Sequence, residues 1–158
     1  MMKEAFDYIE MKIPAKAEYV GVIRLTLSGI ASRMGFAYDL IEDLKIATSE
    51  AITNAVQHAY KKDEGGEVVV GFALYTERLE VMVSDSGKSF NLTETREETG
   101  PYQENIQLEF LREGGLGLYL IESLMDEVRV HQNEGVTVFM TKYLDREQVE
   151  RNVETIST

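Results

Sequence analysis

The chain has no cysteine, and its only imidazoles are those of His58 and His131. Disulfides, thiolate metal sites and cysteine nucleophiles are therefore excluded, and a zinc centre would lack its usual donors. Positive charge is also scarce: 16 Lys and Arg stand against 28 Asp and Glu, a formal net charge of −12. So acidic a chain does not attract DNA or an anionic membrane by its bulk field, which leaves basic partners and cation-bridged anions open. No stretch approaches the roughly 18 uninterrupted apolar residues of a membrane span. The opening residues, MMKEAFDYIEMKIP, alternate instead of forming an apolar block. The expectation is a cytoplasmic protein without membrane or direct nucleic-acid contact.

What remains is enough for one core. With 158 residues, 44% hydrophobic and 28% charged, the composition is that of a single globular domain and too apolar for a disordered chain. Residues Phe6 to Ile13 alternate and are closed by Pro14, as in a strand. From Ala17 to Met34 the apolar residues recur at helical spacing, and Gly35 stands where a glycine stops a helix. Asp39 with Glu42 has the form of a capping box opening a second helix that runs to about Tyr60, followed by a polar turn at 61–66. Two strands, Glu67 to Tyr75 and Leu79 to Ser84, are joined by Thr76-Glu77-Arg78 and should pair antiparallel. Periodicity is then lost until a third helix at Leu116 to Met125, which leaves a long segment of the kind used as a lid. Strands at Val128 to His131 and Val136 to Tyr143 flank an Asn133-Glu134-Gly135 turn, and the polar 145–158 reads as a short helix or frayed tail. The order predicts a two-layer α/β sandwich: one mixed, mostly antiparallel sheet of about five strands with three helices on one face.

Three motifs carry chemistry. Glu50, Asn54 and His58 follow one another at i, i+4 and i+8, so they line one side of the second helix, beside the stripe Leu40, Leu44, Ala47, Ala51 and Ala55. Alone, this row is more often a helix edge with a solvated Glu and Asn and a packed His. Asp85-Ser86-Gly87 follows an apolar strand; a carboxylate there is a fixed acceptor, and Gly87 lets backbone approach a flat ligand, although the tripeptide is also an ordinary turn. Gly114-Gly115-Leu116-Gly117 opens the third helix, where backbone N–H groups and the helix dipole favour a phosphate, or where glycines serve as a hinge. No Gly-Lys-Ser/Thr follows, so this is not a P-loop.

In this order and spacing the motifs resemble the N, G1 and G2 boxes of the GHKL superfamily, whose Bergerat ATP-binding fold is shared by Hsp90-type chaperones, DNA gyrase and histidine kinases. Within it the chain is most similar to the serine-protein kinases that double as anti-sigma factors, of the anti-sigma-B type, from the first strand to about Tyr143. The runs from Ser49 to His58 and from Leu124 to Val128 are the most specific parts. The resemblance implies one kinase domain over 1–144, with an ATP lid at about 86–114 and a tail at 145–158. It implies ATP and Mg²⁺, with Glu50 as general base, Asn54 holding the metal, and Asp85 accepting from the adenine amino group. Gly87, Gly115, Gly117, Lys88, Arg112 and His58 complete the nucleotide set. The implied partners are a sigma-B type sigma factor and an anti-anti-sigma antagonist phosphorylated on serine, with a homodimer as the assembly. The acidity suits a competitor for basic surfaces of a sigma factor. Two positions depart from the pattern: Ser89 stands where a second G1 glycine is usual, and Gly135 is followed by Val136, so that Thr137 falls on the other face of its strand. A nucleotide-driven ATPase switch and a histidine-kinase-like catalytic domain use the same boxes and are the alternatives. Such proteins normally append a transducer domain or dimerisation helices.

Overall fold

The computed structural model describes residues 7–62, 66–86, 90, 117–132 and 135–144, with the backbone alone at 59–62. Strand β1 (Asp7–Pro14) leads through a 3-10 turn (Ala17–Tyr19) into α1 (Val20–Met34), then α2 (Tyr38–Lys62), β2 (Glu67–Leu74) and β3 (Arg78–Ser84). Helix α3 (Gly117–Leu124) and strands β4 (Glu127–Gln132) and β5 (Val136–Tyr143) complete the described elements. The strands form one sheet in the order β1-β2-β3-β5-β4, and every neighbouring pair is antiparallel.

The expected five-stranded, mostly antiparallel sheet is what the described residues form, with no parallel ladder among them. β3 and β4 do run parallel, as a helical crossover requires, but β5 inserts between them and pairs antiparallel with both. The parallel relation therefore exists between strands that never hydrogen-bond. The helix starts also shift. The first helical stretch begins as the 3-10 turn, and α2 opens at Tyr38, one residue before Asp39. Gly35 is the cause: at φ 97° it ends α1, donating its N–H to Ala31 and Ser32, and the chain re-enters a helix at once, with the Ile41 N–H on the Ala37 carbonyl. Asp39 thus sits inside the first turn, where its charge favours the helix N-terminus, and does not cap it.

The helix-facing side of the sheet and the inner stripes of the helices make one continuous core. It joins Val68, Val70, Phe72, Val81, Val83, Val138 and Met140 to Ile23, Leu27, Leu44, Ala51, Ile52, Leu118 and Ile121. Helix α2 lies between α1 and α3. Its small residues Ala47, Ala51 and Ala55 are all buried and let the helix settle on the sheet. The opposite face of β2 and β3 is buried as well: Ala73, Tyr75, Met82 and Phe139 form a second cluster, with Phe90 packed on it. This explains why VVVGFAL reads as continuous apolar sequence instead of alternating. The specific Leu124 to Val128 run is a junction. The Asp126 N–H donates to the Thr141 carbonyl at 2.9 Å, its Oδ2 accepts from the Tyr143 N–H at 2.7 Å, and Lys142 Nζ donates to the Leu124 carbonyl at 2.7 Å. These bonds tie the end of α3 to β5 and so set where α3 begins over α2.

Candidate active site

Glu50, Asn54 and His58 stand along one side of α2, with Glu50 and His58 about 12 Å apart along the axis. The first two meet the N-terminus of α3. Gly117, buried as the first residue of that helix, lies so close that an added Cβ would stand 2.7 Å from Asn54 Nδ2 and 2.7 Å from Glu50 Oε1. Glycine is what permits the approach. The result is a carboxylate, an amide and a helix N-terminus gathered at one point. Asn54 Nδ2 is buried with no hydrogen-bond partner among the described residues. A buried donor left unmade costs about 1–3 kcal/mol, so a water or a ligand group that accepts from it would be favoured there. The preceding turn is held by Thr53 Oγ1 donating to the Ser49 carbonyl at 2.8 Å.

The third residue of the row belongs to a different cluster. His58 Nδ1 contacts Asp85 Oδ2, and Asp85 Oδ1 accepts from the Val136 N–H at 2.8 Å, while the Asp85 N–H donates to the Val136 carbonyl at 3.2 Å. Asp85 is 2% exposed at its side chain. Gly135 fits against it with φ +151°, and a Cβ there would fall 2.5 Å from Asp85 Oδ1. Ser84 and Ser86 close the end of β3 through their hydroxyls, 2.9 Å apart, with the Ser86 N–H donating to Ser84 Oγ at 3.2 Å. Thr137 pairs in register with Ser84 and with His131, on the face away from the helices.

The structure thus brings Glu50, Asn54 and Gly117 together, and His58 and Asp85 together, at two points joined by α2. Gly87, Lys88, Arg112 and Gly115 lie outside the described residues, as do the tail 145–158 and the lid at 86–114 apart from Ser86 and Phe90. Sequence reasoning missed Gly135 and Val136 as the clasp on Asp85. The signal was present in the glycine of the Asn133-Glu134-Gly135 turn, but nothing in the sequence aims that turn at Asp85.

The row of Glu50 and Asn54 under the glycine-started α3, with the buried Asp85 at the end of β3, stands in the order that the resemblance to ATP-binding domains implied. The family described as histidine kinase-like ATPase domain matches residues 13–142. The chain belongs to that family. Within it, the chain is similar to the serine-protein kinases named RsbW. That of Bacillus subtilis (strain 168) is 61% identical over 151 residues, covering 96% of this chain and 94% of the relative. That of Bacillus licheniformis is 63% identical over 149 residues, covering 94% and 93%, and that of Oceanobacillus iheyensis is 56% identical over 153 residues, covering 97% of each. Such identity across almost the full length of both chains makes this a member of the RsbW serine-protein kinases. The solved RsbU and RsbW domains of a Mycobacterium tuberculosis protein share the fold, with a TM-score of 0.61 and 24% identity over 87% of this chain and 32% of that one. Among the described residues no helix is long and apolar enough to cross a membrane.

Proposed function

We propose that this RsbW-type kinase transfers the γ-phosphate of ATP to a serine of an anti-anti-sigma antagonist and, separately, sequesters a sigma-B type sigma factor. Nucleotide state and phosphorylation of the antagonist select between the two partners, and the kinase works as a cytoplasmic homodimer. The observation that carries the catalytic half is the meeting of Glu50, Asn54 and Gly117, with the Asn54 side-chain nitrogen unpartnered among the described residues. Phosphoryl transfer asks for positioning and charge neutralisation more than for covalent help from the protein. Glu50 accepts the proton of the attacking serine hydroxyl. The Asn54 side-chain oxygen is a hard ligand suited to Mg²⁺, which when bound offsets triphosphate charge. The N–H groups that open α3 face the phosphates, and Asp85 accepts from the adenine amino group. A chain of net charge −12 has to supply this neutralisation locally, since its overall field opposes an anionic ligand.

Labelled ATP with a candidate antagonist tests the reading. Label on a serine of the antagonist should be lost in Glu50→Ala and in Asn54→Ala. Unchanged labelling in either variant removes the role assigned to that residue, and phosphate release without a protein acceptor favours an ATPase switch instead. Capture of a sigma factor tests the second activity, and complex formation should weaken as salt rises if the acidic surface drives it.

A further inference from the structure

Asp85 is held from two sides by the protein itself. Val136 N–H donates to Oδ1 at 2.8 Å and His58 Nδ1 meets Oδ2, with the Asp85 side chain 2% exposed and that of His58 21% exposed. A carboxylate so buried needs donors on its oxygens. The Nδ1 contact requires a proton on that nitrogen, because an ionised carboxylate only accepts. Val136 N–H fixes one oxygen through the backbone of β5, which leaves rotation about the Cβ–Cγ bond to be settled at the other. His58, reaching across from α2, settles it. Each oxygen keeps a second lone pair, so the supported carboxylate can still accept from a ligand.

We infer that His58 is a positioning residue for base selection. Through Asp85 it fixes the acceptor that distinguishes a purine bearing an amino group at position 6 from one bearing a carbonyl there. The inference rests on the reading of Asp85 as the acceptor for the adenine amino group, and it moves His58 from a direct nucleotide contact to a support behind one. A 6-amino group donates to the held carboxylate, whereas a 6-oxo group sets lone pairs against lone pairs. Sites built on such a hydrogen bond discriminate strongly when the protein partner is rigid, and weakly when it can turn aside.

The test is equilibrium binding of ATP and of ITP, each with Mg²⁺, to the full chain and to His58→Phe, His58→Asn, His58→Gln and Asp85→Ala, with circular dichroism reporting folding. Asn carries an amide nitrogen close to the place of Nδ1, and Gln carries one close to the place of Nε2. The parent should prefer ATP. His58→Phe and His58→Gln should lose about tenfold or more of that preference, the equivalent of one hydrogen bond, while His58→Asn keeps most of it. A merely structural role would weaken both nucleotides alike and leave the ratio unchanged. Should His58→Phe fail to fold, the Asn and Gln pair decides the matter. If Asp85→Ala abolishes the preference but His58→Phe retains it, or if Asn and Gln at position 58 behave alike, the inference about His58 is overturned and the reading of Asp85 stands. If the parent shows no preference, or Asp85→Ala leaves it intact, the reading of Asp85 itself fails.

Discussion

Gly117 and Asn54 are set so closely that a methyl group on the glycine would stand 2.7 Å from the Asn54 side-chain nitrogen. Position 117 is the first residue of α3, where alanine is up to about 1 kcal/mol better than glycine for the helix itself. The gain is offset by crowding against two side-chain ends, Asn54 and Glu50. Gly117→Ala should therefore change thermal stability little, by about 1 kcal/mol or less in either direction, yet lower phosphoryl transfer at least about tenfold by displacing both groups. Melting curves alongside initial rates check this. A large loss of stability with normal turnover per folded molecule would contradict it.

Gly135 faces the opposite outcome. Its φ of +151° disfavours any side chain, and a Cβ would lie 2.5 Å from Asp85 Oδ1. Gly135→Ala should cost about 2 kcal/mol or more of unfolding free energy, from strain and from breaking the clasp on Asp85. Urea titration of parent and variant measures it, with the slope expected to stay constant.

Glu80, on β3, is 5% exposed, and Arg129 Nη2 approaches its Oε1 at 3.3 Å. Burial pushes its carboxyl up from the ordinary 4.5, and the Arg129 and Arg78 guanidinium groups counter only part of that. A raised folded-state value means that the folded chain holds the proton more tightly than the unfolded one. The stability contributed is present below about 4.5 and is lost as pH rises through the folded value. Glu80→Gln should accordingly gain on the parent as pH increases across that window and then level off. Melting temperatures of both proteins from pH 4 to 8 read the difference, and a gain that shrinks with rising pH would refute the sign.

On the far side of the sheet, Gly71 leaves room for two rings. An added Cβ would stand 2.6 Å from Tyr8 Oη, 3.1 Å from Phe90 Cδ2 and 3.2 Å from Met82 Cε. Glu10 Oε1 accepts from both the Phe90 N–H, at 3.0 Å, and the Tyr8 hydroxyl, at 2.8 Å. Met82 is fully buried and cannot yield freely. Gly71→Ala should cost about 1–3 kcal/mol, and the cost should shrink by at least about 0.5 kcal/mol in a Phe90→Ala background. A double-mutant cycle by urea unfolding measures that coupling, and strict additivity would show that Phe90 is not the ring in conflict.

Local pattern and spacing were enough to assign the helices and strands and to put Glu50, Asn54 and His58 on one side of α2, because a helix repeats every 3.6 residues and a strand every two. They also marked Asp85 as a carboxylate at a strand end and Gly117 as a glycine at a helix start. Which of these groups meet is a matter of long-range register. The sequence itself could not show that β5 slips between β3 and β4, yet that insertion brings Gly135 and Val136 to Asp85, fifty residues away. Nor could it show that Asp126, Tyr143 and Lys142 hold the end of α3 so that Gly117 lands on Glu50 and Asn54. Periodicity records which face of an element is buried and carries no information about which neighbour buries it. The sequence alone therefore determined the row of polar groups on α2. Tertiary packing alone divided that row, sending Glu50 and Asn54 to the glycine that opens α3 and His58 to the buried carboxylate of Asp85.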